Sequence, residues 1–151
     1  SLGHKKILYA FAPTGKDNSR YDRFQGAKSA VKSHNLPEIL TVSSKEELLQ
    51  IFTGKDRPTA AVCYSDYEAV MVQAAAKKAG LRVPQDLSIT GFDDSRTASL
   101  PEYNFTTVAQ AKTTIGEMAF EMLLKRISGE KVESIRLKPE LIVRTSTVKI
   151  V

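Results

Sequence analysis

The chain lacks most of what extracellular, membrane or metal-dependent chemistry requires. Only one of its 151 residues is cysteine. Cys63 lies in the apolar run 60–64, so no internal disulfide can form and the thiol is expected to be buried. No apolar run approaches the ~20 residues of a bilayer span, and no signal peptide is legible at the amino end. His4 and His34 have no companions at metal-ligand spacing, so a metal site is not expected. No glycine-rich phosphate loop is present, since Gly15 and Gly26 stand alone. No Gly-x-Ser-x-Gly elbow exists, and no histidine arrangement would activate Cys63 as a nucleophile. The pair Asp93-Asp94 invites an enzymatic reading. Adjacent strand-end residues point apart, however, whereas a glycosidase needs two carboxyls ~5–10 Å apart across its substrate. A response-regulator receiver needs an acidic pair after the first strand, and Phe11-Ala12-Pro13 supplies none. The expectation is a protein that is not an enzyme and calls for no cofactor.

What is present describes one ordinary globular domain with a sizeable core. Hydrophobic residues make up 42% and charged residues 26%, which excludes disorder and a fibrous chain. Basic residues number 22 against 17 acidic, a net charge of +5. They are spread along the sequence, which reads as a weakly basic surface rather than a nucleic-acid face. The chain starts almost directly on a strand and reads as a fragment of a longer protein.

Apolar runs at Lys6–Ala12, Ile39–Val42, Ala60–Tyr64 and Leu87–Phe92 predict four strands. The loop Pro13–Asn18 follows the first. Helical spacing predicts helices over Arg20–His34, from Ser43 or Ser44 to Phe52, and over Asp66–Lys78, the last stopped by Gly80. Either Asn18 or Ser19 can cap the first helix, and Asp66 is expected to cap the third. The order β-α-β-α-β-α-β predicts an α/β fold with a parallel sheet flanked by helices on both faces. Beyond it come an irregular loop Asp94–Asn104, an extended segment Phe105–Val108 and an amphipathic helix from Thr113 or Thr114 to Ile127. Two short strands, Ile135–Lys138 and Glu140–Arg144, close the chain. In an open parallel sheet the carboxyl ends of the strands form the ligand crevice. Ser65-Asp66 and Asp93-Asp94 stand there, which points to a small-molecule site.

Several ordered motifs carry a family resemblance. They are Gly3-His4, Arg23-Phe-Gln-Gly26 with Ala30, and Ser65-Asp66 with Ala69. Gly80-Leu-Arg-Val-Pro84, Gly91-Phe-Asp-Asp94, Phe105-Thr-Thr-Val-Ala-Gln110 with Gly116, and Leu141-Ile-Val-Arg-Thr-Ser146 follow. Together they resemble the effector-binding region of LacI/GalR-type bacterial regulators over nearly the whole chain. The resemblance implies half of a periplasmic-binding-protein-like fold, in which two α/β subdomains close on a ligand. Residues 1–151 would be a partial effector-binding domain. Its carboxyl subdomain would span about 5–108 and 139–151, and about 112–138 would belong to the other subdomain. The DNA-binding domain would be absent. The implied protein is a cytoplasmic repressor whose partners are a sugar or sugar-phosphate effector, a second copy of itself, and operator DNA through the missing amino-terminal domain. No membrane partner is implied. A periplasmic sugar-binding protein of a transport system shares the fold and is the alternative.

Candidate ligand contacts follow from hydroxyl recognition, which needs dense, directional hydrogen bonds with charged partners. Arg23 offers fixed donors that, by resemblance, point into the cleft, against the plain reading of a solvated helix residue. Asp93 would accept from ligand hydroxyls, against an acidic turn residue. Ser65, where the family often has asparagine, has shorter reach. Ser19 competes between contact and capping, and Gln110 could both donate and accept at a hinge. Tyr64 and Phe11 could present a ring face or simply fill the core. The resemblance places dimerisation on the helix after Ser65-Asp66, with Tyr67, Val70, Met71 and Ala74 as candidates against core packing. The apolar stripe of helix 112–127 should seek cover in an oligomer, in a swapped arrangement or on the same sheet.

Overall fold

The computed structural model describes residues 2–13, 15 and 18–150; Thr14, Lys16 and Asp17 of the expected Pro13–Asn18 loop lie outside the described residues. Four strands, β1 (Ile7–Ala10), β2 (Leu40–Thr41), β3 (Ala60–Cys63) and β4 (Ser88–Thr90), form a parallel sheet in the order β2-β1-β3-β4. Leu8 pairs with Leu40 and with Ala61, and Ala61 with Ile89, so one register runs across the sheet. Thr106 adds a parallel bridge to Thr90 at the free edge of β4.

Strand alternation sorts side chains onto two faces. Leu8, Ala10, Ala61, Cys63 and Ile89 point to the face covered by α2 (Lys45–Thr53) and α3 (Asp66–Lys78), where Leu48, Phe52, Val72 and Ala76 complete the main core. Each fully buried Leu, Ile or Phe there is worth roughly 1.5–3 kcal/mol. Ile7, Tyr9 and Val62 point the other way, against Phe24, Ala27 and Val31 of α1 (Ser19–Ser33). The sheet is therefore covered by helices on both faces, as expected for parallel strands.

Local signals set the helix ends. Asn18, not Ser19, caps α1, accepting from the Tyr21 N–H at 3.0 Å. Ser44 caps α2, and Glu47 reaches back to the Ser43 N–H at 2.7 Å. The α3 helix ends in a Schellman turn. Gly80 takes φ +78° there, and the Leu81 N–H bonds the Ala76 carbonyl at 2.9 Å. His4 bridges Thr59 Oγ1 and the Val148 carbonyl, each at 3.0 Å, which fixes the entry to β1.

The second half departs from the sequence reading in three places. The loop after Asp94 contains a 3-10 turn, Arg96–Ser99, capped by Ser95. The strand β5 (Thr107–Ala109) pairs antiparallel with β6 (Glu140–Ile142), but the strand expected at Ile135–Lys138 does not form. Ile135 and Leu137 instead line a groove with Ile115, Met118, Ala119 and Met122 of α4 (Lys112–Ile127), so the segment follows a helix rather than a strand. The α4 helix buries none of its residues, so repacking of its stripe onto the same sheet does not occur.

Candidate functional site

Five side chains meet at the carboxyl ends of β1, β3 and β4. Arg23, one turn into α1, donates from Nη1 to the Tyr64 carbonyl at 2.7 Å. Its Nη2 lies 3.5 Å from Asp93 Oδ1. Gln110 Nε2 donates to that same oxygen at 2.7 Å. The guanidinium carbon of Arg23 sits 3.6 Å from the Phe92 ring centre and 4.5 Å from that of Tyr64. The arginine is thus held between an aromatic platform and a carboxylate, a geometry that its planar fork suits and a lysine would not reproduce.

Asp93 stands on an unusual backbone. It has φ +98° and Asp94 has φ +45°, two consecutive residues in the left-handed region. Such strain persists only where surrounding contacts over-determine it. Here the Asp93 N–H bonds the Val108 carbonyl at 2.9 Å, and Arg144 Nη2 pairs with Asp94 Oδ1 at 2.6 Å. Both oxygens of Asp66 are also engaged, by Thr107 Oγ1 at 2.6 Å and by the Ser95 N–H at 2.7 Å. The kink turns Asp93 toward Arg23 and Asp94 toward Arg144, so the adjacent carboxylates do separate work. Asp93 Oδ2 makes no hydrogen bond among the described residues, and the side chain keeps 34% of its accessibility. An oxygen of this kind is an open acceptor for a ligand hydroxyl.

The other expected residues fall into two groups. Ser19 reaches the site edge, with Oγ 3.1 Å from Tyr64 Oη, since Asn18 has taken the cap. Ser65, by contrast, is the cap of α3, accepting from the Glu68 N–H at 3.4 Å. Asp66, expected as that cap, is a buried cross-link between α3 and the Gly91–Ser95 segment, only 1% exposed. Its backbone N–H meets the Phe92 carbonyl at 2.9 Å, leaving its carboxylate turned inward. Tyr64 borders the site, while Phe11 packs against the main core. Of the dimer candidates on α3, Tyr67 and Ala74 are exposed and Met71 is half-buried, while Val70 packs partly against the main core. Tyr67 is 73% exposed, whereas Ala69, Val72 and Ala76 supply that helix's core face. Val70, Met71 and Ala74 border a groove of about 460 Å³ with Leu49 of α2.

Four residues that sequence reasoning missed complete the picture: Arg20, Glu68, Phe92 and Arg144. Arg20 pairs with Glu68 through Nη1, and its guanidinium carbon lies 4.2 Å from the Tyr64 ring centre. Burial pushes the Glu68 carboxyl above its ordinary range, against the opposing pull of Arg20. A signal for Glu68 existed, because it falls on the stripe of Val72 and Ala76 at helical spacing, where a charge has no place without a partner.

Among the described residues no group of three histidine, cysteine or acidic side chains could hold a metal ion, and no helix is long and apolar enough to cross a membrane. The arrangement provides donors, an open carboxylate oxygen and ring faces, which is recognition chemistry rather than bond-breaking chemistry.

Known proteins carry the same architecture. Residues 1–147 match the family described as periplasmic binding protein-like domain. The chain is 36% identical over 165 residues to the arabinose metabolism transcriptional repressor of Geobacillus stearothermophilus, covering 99% of the chain and 45% of that protein. It is 36% identical over 157 residues to the HTH-type transcriptional repressor PurR of Photorhabdus laumondii, covering 97% of the chain and 46% of that protein. The chain therefore spans less than half the length of these relatives. Among solved structures, a LacI transcriptional regulator from a Rhodococcus species superposes with a TM-score of 0.82 at 28% identity, over 98% of this chain and 57% of that one. A dimeric Lac repressor with an 11-residue carboxyl-terminal deletion gives a TM-score of 0.85 at 25% identity, over 97% and 57%.

Proposed function

The chain belongs to the periplasmic-binding-protein-like family as the effector-binding region of a LacI/GalR-type regulator, and from that premise we propose that its strand-end site is one wall of a sensor for a polyhydroxylated metabolite. The observation that carries the reading is the convergence of Arg23 and Gln110 on one oxygen of Asp93, with the other left open. A sugar hydroxyl donates to Asp93 Oδ2 and a neighbouring ring oxygen or hydroxyl accepts from Arg23, an arrangement that supplies direction as well as strength. Phe92 and Tyr64 hold the arginine flat, so its rotamer freedom is already restricted before ligand arrives.

In this reading the second wall comes from the rest of the protein. Closure on the ligand shifts the two subdomains between arrangements, by no more than the ligand's difference in affinity for them. Operator binding belongs to a domain outside this chain, as do the contacts that complete ligand specificity. The outer side of α3, with exposed Tyr67 and Ala74 and half-buried Met71 and Val70, supports self-association, and the bare stripe of α4 supports docking on the other subdomain. The transport alternative has less support, because the curated relatives cited are named as repressors.

The test is a thermal-shift screen of the full-length protein against monosaccharides and their phosphate esters. A ligand at a hundredfold its dissociation constant adds about 2.7 kcal/mol of stability. The full-length relatives are more than twice as long as this chain, and at that size the melting temperature rises by roughly 3–5 °C. A ligand that stabilises the protein must also change its affinity for DNA. Failure of every sugar and sugar phosphate to stabilise it refutes the sensor reading.

A further inference from the structure

We propose that Glu68 and Arg20 are positioning residues for the ligand-facing guanidinium of Arg23, acting through Tyr64. The inference rests on Arg23 being a ligand donor, and it concerns how that donor is kept in place.

Tyr64 is gripped at every polar atom it has. Its N–H donates to Glu68 Oε2 at 3.0 Å, its carbonyl accepts from Arg23 at 2.7 Å, and its hydroxyl lies 3.1 Å from Ser19 Oγ. Both arginines of α1 stand against its ring, Arg20 at 4.2 Å and Arg23 at 4.5 Å from the centre. Arg20 also donates to the Phe11 carbonyl at 3.2 Å, which ties the end of β1 to the same unit. The links form a closed circuit. Glu68 on α3 holds Arg20 on α1 and the peptide of Tyr64 after β3, and Tyr64 holds Arg23 one helical turn beyond Arg20.

The Glu68 side chain is 5% exposed and that of Arg20 is 35% exposed. A buried carboxylate is tolerated only when paired and hydrogen-bonded. For stability alone, an apolar pair of similar volume would join α1 to α3 as well or better. An apolar pair, however, could neither accept the Tyr64 N–H nor donate to the Phe11 carbonyl. What the charged pair adds is direction, and that direction ends on Arg23.

The experiment reads Arg23 directly, in full-length protein labelled with 15N-arginine. Its Nε–H signal is identified by its loss in Arg23→Lys, and the Phe92 and Tyr64 rings displace it from the position of a free arginine. In the double variant Arg20→Met/Glu68→Met the melting temperature stays within roughly 4 °C of the parent, as expected when a buried pair becomes apolar. The Arg23 signal nevertheless moves to the free-arginine position and exchanges with water at least about tenfold faster. Arg20→Lys keeps the charge opposite Glu68 but removes the flat group from the Tyr64 ring, and it gives a smaller change of the same sign. If the double variant does not fold, Arg20→Lys decides alone. An Arg23 signal unchanged in the folded variants overturns the proposal. Because the readout contains no ligand, its failure is separate from any failure of the sensor assignment, which binding measurements decide.

Discussion

Replacing Asp66 by alanine should cost a large share of the stability of this chain. The carboxylate is 1% exposed and bonds two donors, Thr107 Oγ1 at 2.6 Å and the Ser95 N–H at 2.7 Å. Truncation leaves both donors facing a small void. Each buried donor stripped of its acceptor costs about 1–3 kcal/mol, and more for a bond to a charged group. The sum for Asp66→Ala is about 3–5 kcal/mol, a large share of the 5–15 kcal/mol typical of a domain. Asp66→Asn should cost only about 1 kcal/mol, because one oxygen still accepts from Ser95 and the Thr107 hydroxyl can turn to accept from the new amide. Urea unfolding followed by circular dichroism measures both, with the midpoint falling and the slope unchanged. A loss below about 1 kcal/mol in Asp66→Ala refutes the claim that this carboxylate clamps the Gly91–Ser95 segment.

Three further expectations follow from single contacts. A Cβ at Gly91 would lie 2.1 Å from Asp66 Oδ1 and 3.2 Å from Asp66 Cα, so Gly91→Ala should destabilise by about 3 kcal/mol or more, measured by the same unfolding curve. Cys63 is fully buried and its thiol is pushed well above the ordinary range, chiefly by burial. It should resist a thiol reagent at pH 8 in the folded protein and react at once in denaturant, and rapid labelling of the native state would contradict this. Hydrogen bonds from Arg82 hold the Asp86 carboxyl at about 2. A depressed folded-state value stabilises above the unfolded value and is lost as pH falls through the folded one, so the Asp86 contribution should vanish between about pH 4 and pH 2. Asp86→Asn should flatten that part of the acid unfolding curve.

Much of the fold was legible because parallel α/β order is written in local signals. Apolar runs marked β1, β3 and β4, and Gly80 and Ser44 marked helix ends that the structure keeps. Arg23, Asp93 and Gln110 could be named from the motifs that carry them, and the structure brings all three together. What could not be read were choices made by tertiary contact. Ser65 and Asp66 both suit a cap. Which one serves is settled by Thr107 and the Ser95 N–H pulling Asp66 inward, partners 41 and 29 residues away. Ile135–Lys138 has the composition of a strand, yet its apolar side chains lie along α4. The double left-handed turn at Asp93-Asp94 has only a weak local signal, because aspartate tolerates that region without demanding it, and the restraint comes from Arg144, 50 residues onward.

The central claim is that Asp93 and Arg23 hold ligand, and affinity measured by titration calorimetry on the full-length protein tests it most directly. The sugar found by thermal shift is titrated into the parent, Asp93→Asn and Arg23→Ala, each first shown to be folded. Asparagine tolerates the positive φ of Asp93, so the change removes charge while sparing the backbone. A hydrogen bond to a charged group is worth about 1.5–3 kcal/mol, so affinity should fall roughly tenfold to a hundredfold in each variant. Parent affinity retained in both variants would contradict the account.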